Sequence, residues 1–151
     1  MIEIVGDLWT HHEAGEVVVI TTNGAVRADG CAVMGRGVAR EAALRMPWLP
    51  AQLGDRLLRW DNHVCFFGTI NCLYVGVPII TFPVKTHWRD AADPGLIRRS
   101  AHELVAVITA LGMEKVYSVR PGCGWGHLLW QDVESLLTPI WDDRFVIVEK
   151  N

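Results

Sequence analysis

The chain has 151 residues, of which 50% are hydrophobic and 21% charged, with a formal net charge of −3. That length suits a single domain, residues 1–151, and the apolar content is enough for a full core, which excludes a disordered chain. The apolar runs are too short for a membrane helix, and the mild negative charge argues against coating nucleic acid by charge alone.

Residues 2–5 predict a short strand, and the β-branched run at 17–21 suits a strand buried on both faces. Glycine-rich sequence follows, then a helix over 37–46 stopped before Pro47, and a second helix over 51–60. Residues 64–67 and 73–75 predict an antiparallel hairpin across 68–72, and 77–82 a further strand ended by Pro83. The clearest helix follows Asp93, a good cap, and Pro94, a good first residue. Its apolar positions Ile97, Ala101, Leu104, Val105, Ile108 and Leu111 keep helical spacing, and Gly112 closes it. A strand at 115–119, a helix over 132–141 and a strand at 145–148 complete the chain. Strands alternating with helices predict an α/β domain whose parallel or mixed sheet has helices on both faces. Such sheets take ligands at the carboxyl ends of their strands, so the loops after the strands carry the functional question.

Three of those loops stand out. After the second strand, Gly35-Arg36-Gly37 at the entry to a helix lets backbone N–H groups approach an anion, with the helix dipole adding to them. The residues alone allow either a phosphate cradle or an ordinary glycine-rich turn, and they match neither a P-loop nor a dinucleotide fingerprint. After the strand at 77–82 comes Lys85-Thr86-His87-Trp88-Arg89. Cationic neighbours favour a neutral, nucleophilic Lys85; the alternative is a solvated basic loop with Trp88 against the core. After the strand at 115–119, Gly122-Cys123-Gly124-Trp125-Gly126 forms a second glycine loop, either an anion-binding nest or a plain turn. Two such loops suit a diphosphate. Asp7, directly after the first strand, is placed either to accept a hydrogen bond from an exocyclic amine or to cap a turn or helix.

Cys31, Cys65, Cys72 and Cys123 form no C-x-x-C pair and match no zinc spacing, and the six histidines are scattered or adjacent, so no metal is expected. Free thiols and the absence of a basic-then-apolar opening lead us to expect a cytoplasmic protein without a signal peptide or membrane association.

Taken together, these residues resemble the macrodomains, the ADP-ribose-binding α/β modules. Gly6-Asp7-Leu8 is similar to the family's early G-D-[IL] element, whose Asp contacts adenine, and Asn23 to the Asn near the distal ribose. Met34, Gly35, Arg36, Gly37 and Val38 resemble the first diphosphate loop, and Gly122, Cys123, Gly124, Trp125 and Gly126 the second. The likeness runs from Glu3 to about Val148. Val33-Met34-Gly35-Arg36-Gly37-Val38-Ala39 and Phe82-Pro83-Val84-Lys85-Thr86-His87-Trp88-Arg89 are most similar to one branch, the antitoxin macrodomains that remove ADP-ribose from DNA together with the terminal ADP-ribose protein glycohydrolases.

The resemblance implies a three-layer α/β/α sandwich with a central mixed sheet, no cofactor, and a monomer that takes ADP-ribose or ADP-ribosylated protein or DNA. It implies an ADP-ribosyl hydrolase with Lys85 as its catalytic residue and His87 as an orienter or proton carrier. A non-catalytic ADP-ribose reader and an ADP-ribose 1''-phosphate phosphatase are the competing activities. The chain departs from the branch in two places. No carboxylate occupies the second glycine loop, where the protein glycohydrolases carry an Asp, and Arg27-Ala28-Asp29 lengthens the first loop. The antitoxins carry a further C-terminal region, so with the chain ending at Asn151 a toxin-blocking role is not expected.

Overall fold

The computed structural model describes residues 1–70 and 73–150. Its six strands are β1 (Ile2–Val5), β2 (Val18–Asn23), β3 (Cys65–Ile70), β4 (Leu73–Lys85), β5 (Val116–Ser118) and β6 (Phe145–Glu149). The helices are α1 (Leu8–Glu13), α2 (Gly37–Arg45), α3 (Leu49–Trp60), α4 (Pro94–Ala110) and α5 (Trp130–Leu137). The strands form one sheet in the order β1-β6-β5-β2-β4-β3, parallel except for the antiparallel β3–β4 pair.

Period-two alternation in the central strands builds the layers. Val18 and Ile20 face one core with Leu8, Trp9, Ala39, Ala42, Leu49 and Leu53 of α1, α2 and α3. Val19 faces the other with Ile97, Leu104 and Ile108 of α4 and Val133 and Leu137 of α5. On β4, Ile79 joins the first core and Ile80 and Phe82 the second. A strand with apolar groups on both faces must be covered on both, so helices lie above and below the sheet in the expected three layers.

Four elements differ from the sequence reading. Helix α1 was not predicted: six residues are too few to show a helical period, yet Asp7 caps it, Oδ1 accepting from Trp9 N at 3.0 Å. β4 is a single long strand running through Pro78 and Pro83. Its register on β3 breaks between Phe67 and Thr69, next to Pro78, and on β2 between Thr22 and Asn23, next to Pro83. Proline lacks the N–H that a ladder uses, so a strand accommodates it at such irregularities. The predicted hairpin turn at 68–72 includes residues 71 and 72, which lie outside the described residues. Helix α3 begins earlier, with Pro50 in its first turn, where a missing N–H costs nothing. Helix α5 begins at Trp130 and stops at Leu137 because Pro139 cannot continue it, and Ile140 and Trp141 follow in a turn whose N–H groups donate to Leu137 O.

Candidate functional site

Five strands run parallel, so β1, β2, β4, β5 and β6 end along one edge of the sheet. Their succeeding loops enclose a cavity of about 780 Å³, within the range of roughly 300–1,000 Å³ typical of small-ligand sites. Its walls include Gly6, Asp7 and Leu8 after β1, Asn23 at the end of β2 and Lys85 at the end of β4. Val119, Arg120 and residues 122–126 after β5 and Lys150 after β6 complete that edge.

The first glycine loop leads into α2. Arg36 occupies the N-cap with extended backbone and no capping side chain, so the first N–H groups of α2 are left to whatever enters the cavity. Asn23 braces the approach to this loop: its Nδ2 donates to Val33 O at 3.0 Å and its Oδ1 accepts from Ala25 N at 2.9 Å. The lengthened stretch at 25–33 closes as a small hairpin through the Val26–Ala32 bridge, with Arg27 paired to Asp29 at 2.8 Å. Gly35, Arg36, Gly37 and Val38 line the cavity. Met34 does not; it is 8% exposed and packs in the core beneath α2 and α3.

The second glycine loop folds back on itself, with Leu128 N donating to Gly122 O at 3.0 Å and His127 N to Gly124 O at 3.1 Å. Gly122 has φ +75, and a Cβ on Gly126 would run into the Gly122 backbone, so both positions need glycine. A Cβ on Gly124 or Gly35 meets nothing within 4 Å. Among the described residues, the N–H groups of Gly124, Trp125 and Gly126 make no backbone hydrogen bond. Unpartnered N–H groups on two facing loops are the kind of arrangement that can receive an anion. The loops also meet through side chains: the Arg36 guanidinium lies 4.6 Å from the Trp125 ring centre. Cys123 lines the cavity, but burial pushes its thiol up to about 11 despite Arg120, so it stays protonated and unreactive at neutral pH.

Lys85 sits between the two glycine loops, and only 9% of it is exposed. Its backbone carbonyl is held by Gly24 N at 3.1 Å and Asn62 Nδ2 at 3.2 Å. Its Nζ donates to the carbonyls of Trp88, at 3.2 Å, and Trp125, at 3.1 Å. A tetrahedral nitrogen so held keeps one position open. Burial, and then the Arg36 guanidinium, lower its pKa from the usual lysine value, with Asp90 partly opposing them. His87 does not reach the cavity wall; its Nδ1 accepts from the backbone N and Nε of Arg89 at 3.3 and 3.2 Å.

Several wall residues carry no motif. Glu41, on α2, accepts from Trp9 Nε1 at 2.8 Å. Arg120 lies over Trp130 at 5.0 Å and pairs with Glu149 at 3.0 Å. Arg120 is discoverable as the first residue after a predicted strand, whereas Glu41 has no such signal. Among the described residues, no group of three His, Cys, Asp or Glu side chains gathers to hold a metal. Nor is any helix long and apolar enough to cross a membrane.

No protein-family profile matches the chain. It is similar to the DNA ADP-ribosyl glycohydrolases of Mycobacterium bovis and Mycobacterium tuberculosis, at 28% identity over 127 residues. The match covers 82% of this chain and 36% of each relative, so the chain spans about a third of the length of the curated relatives it matches. Among solved structures, the macrodomain of Mycobacterium tuberculosis DarG superposes with a TM-score of 0.78 at 27% identity, covering 99% of this chain and 97% of that one. The macrodomain of Thermus aquaticus DarG shares the fold at a TM-score of 0.77 and 23% identity, covering 99% and 97%. Thermosipho africanus DarTG in complex with ADP-ribose does so at 0.79 and 17%, covering 99% and 41%.

Proposed function

Since the chain is a macrodomain, in its fold and in its likeness to solved macrodomains, we propose that it binds ADP-ribose in this cleft and hydrolyses its bond to a modified macromolecule, either a DNA base or an acidic protein side chain. The name of the curated relatives supports the glycohydrolase reading. The single observation that carries a catalytic role over a purely binding one is Lys85, a buried amine held by two carbonyls between the two anion loops.

In this reading the diphosphate lies against the N–H groups at residues 35–38 and 122–126, and Asp7 receives the adenine amine. The anomeric carbon of the distal ribose then reaches Lys85. The lowered pKa favours the neutral amine, whose lone pair occupies the position left open by the two carbonyls. Nζ attacks the anomeric carbon, and the bond to the carrier breaks with its electron pair leaving on the carrier, which takes up a proton. Water then hydrolyses the lysine adduct and frees ADP-ribose and Lys85. His87, tied to Arg89, orients the loop rather than carrying the proton. A reader protein gains nothing from a buried lysine, whose desolvation costs stability.

Lys85→Ala tests this. Release of ADP-ribose from ADP-ribosylated DNA or protein is lost, while affinity for free ADP-ribose stays within a few-fold of wild type. Lys85→Arg is equally inactive, because a guanidinium stays protonated. Full activity in Lys85→Ala sinks the catalytic assignment, and recovery in Lys85→Arg replaces attack by charge stabilisation.

A further inference from the structure

The β2–β4 ladder becomes irregular just before Lys85. Pro83 brings no N–H to it, and the register passes from the Thr22–Pro83 pair to Asn23–Lys85, skipping Val84. A tie from outside the sheet reaches the strand at this point. Asn62, in the connection between α3 and β3, donates from Nδ2 to Lys85 O at 3.2 Å, the one hydrogen bond of its side chain among the described residues. Gly24 N donates to the same oxygen at 3.1 Å. The backbone around Asn62 is itself fixed. Its N–H donates to Asp61 Oδ1 at 2.9 Å, its carbonyl accepts from Arg99 Nη2, and Glu103 of α4 accepts from Val64 N at 3.0 Å.

Two costs meet at this amide. Asp61 has φ 68 and ψ −164, a backbone region essentially reserved for glycine. Asn62 Oδ1 is buried with no hydrogen-bond partner among the described residues, and a buried unpaired carbonyl destabilises a fold. An amide kept for stability alone would be satisfied at both ends. Strain and unmet hydrogen bonds persist where the surroundings impose a geometry that function needs. Gly24 fits the same account, because a Cβ there would lie 2.8 Å from Asn62 Nδ2 and push it from Lys85 O. We propose that Asn62 is a positioning residue for Lys85. By holding the Lys85 carbonyl it fixes the point from which the side chain departs, and so the place where Nζ meets the anomeric carbon. The proposal rests on the reading above, in which Lys85 is the reacting group. A misplacement of about 1 Å costs a reaction about a hundredfold in rate, so one hydrogen bond to the backbone of the attacking residue has a measurable effect.

The test uses two variants. Asn62→Ala keeps the backbone ties of the loop and removes only the amide. Gly24→Ala keeps Asn62 and displaces its amide, so it serves if the first variant fails to fold. The substrate is an ADP-ribosylated oligonucleotide or protein that wild type turns over and Lys85→Ala does not. On it, each variant lowers kcat roughly ten- to hundredfold. KM and the Kd for free ADP-ribose change less than about twofold, a split that general loss of structure does not produce. An unchanged kcat, or an ADP-ribose affinity that falls in step with kcat, overturns the inference. If no substrate meets that condition, the reading of Lys85 as the reacting group fails instead, and the position of its amine is then judged directly. The chain has three lysines, Lys85, Lys115 and Lys150, so NMR of lysine labelled at Cε follows the titration of each, with Lys85 assigned by its loss in Lys85→Ala. Released from its tie, the amine gains access to water, and its pKa in Asn62→Ala moves up toward 10.5. A Lys85 titration identical to that of wild type overturns the inference.

Discussion

Lys85 is unlike an ordinary surface lysine because of what surrounds a single nitrogen. Burial and Arg36 disfavour the ammonium, while the Trp88 and Trp125 carbonyls fix the amine in place. The net lowering of its pKa has a consequence of definite sign. Attack needs the neutral amine, so activity rises with pH as the proton leaves and levels off at a pH below the usual lysine value of 10.5. A pH profile of kcat over roughly pH 6–10 checks this, and a rate that falls across the range contradicts attack by the amine. Cys123 makes the contrast: burial raises its thiol to about 11. The same desolvation that shifts a lysine toward its neutral form shifts a cysteine toward its inert, protonated one.

Helix α1 shows how one short element serves both stability and site. Asp7 spends Oδ1 on Trp9 N and so caps the helix, while the same residue lines the cavity. Asp7→Ala removes both contributions: about 1 kcal/mol of stability from the lost cap, and about 1–3 kcal/mol of ADP-ribose affinity from the lost charge-assisted hydrogen bond. Asp7→Ser separates them, because serine also caps. Its denaturant midpoint returns toward wild type and its ADP-ribose affinity does not. If both recover with serine, the carboxylate has no part in the ligand. β4 makes a related point, since a strand that tolerates Pro78 and Pro83 at breaks in register can extend to Lys85 and carry it to the edge where the other loops meet.

Across the whole molecule, two cores on opposite faces of one sheet hold the strand ends rigid, and the loops between them form the cleft. A ligand bound only by the folded chain stabilises all of it. ADP-ribose at a hundred times its Kd should add about 2.7 kcal/mol, which raises Tm by roughly 5–10 °C for a domain of this size. Thermal unfolding with and without ADP-ribose measures the shift. Gly124→Val is the control: a Cβ there meets nothing within 4 Å, so the backbone is not forced to move, but the valine methyl groups take up space on the loop that is to hold the diphosphate. The variant should unfold near the wild-type temperature without ligand and lose most of the shift. A full shift in Gly124→Val removes the second loop from the binding site.

Much of this architecture was legible in the sequence because it depends on local periodicity. The β-branched runs around Val18–Ile20 and Phe145–Val148 admit only buried strands, Asp93-Pro94 opens α4 by cap chemistry, and glycines mark both loops. The boundaries that escaped it depend on competition between local and distant contacts. Six residues show no period, so α1 stayed hidden, and the prolines of β4 read as stops until a partner strand supplied the irregularities that absorb them. The site divides in the same way. Lys85 and the two glycine loops are visible as residue types after strands, but nothing local in Trp88 or Trp125 announces that their carbonyls converge on one nitrogen, since every residue carries a carbonyl. The stacking of Arg36 on Trp125, the withdrawal of Met34 into the core and the tie of His87 to Arg89 are likewise set by which loops the sheet brings together. Side-chain chemistry is written along the chain; the direction in which a backbone group points is settled only when distant segments pack.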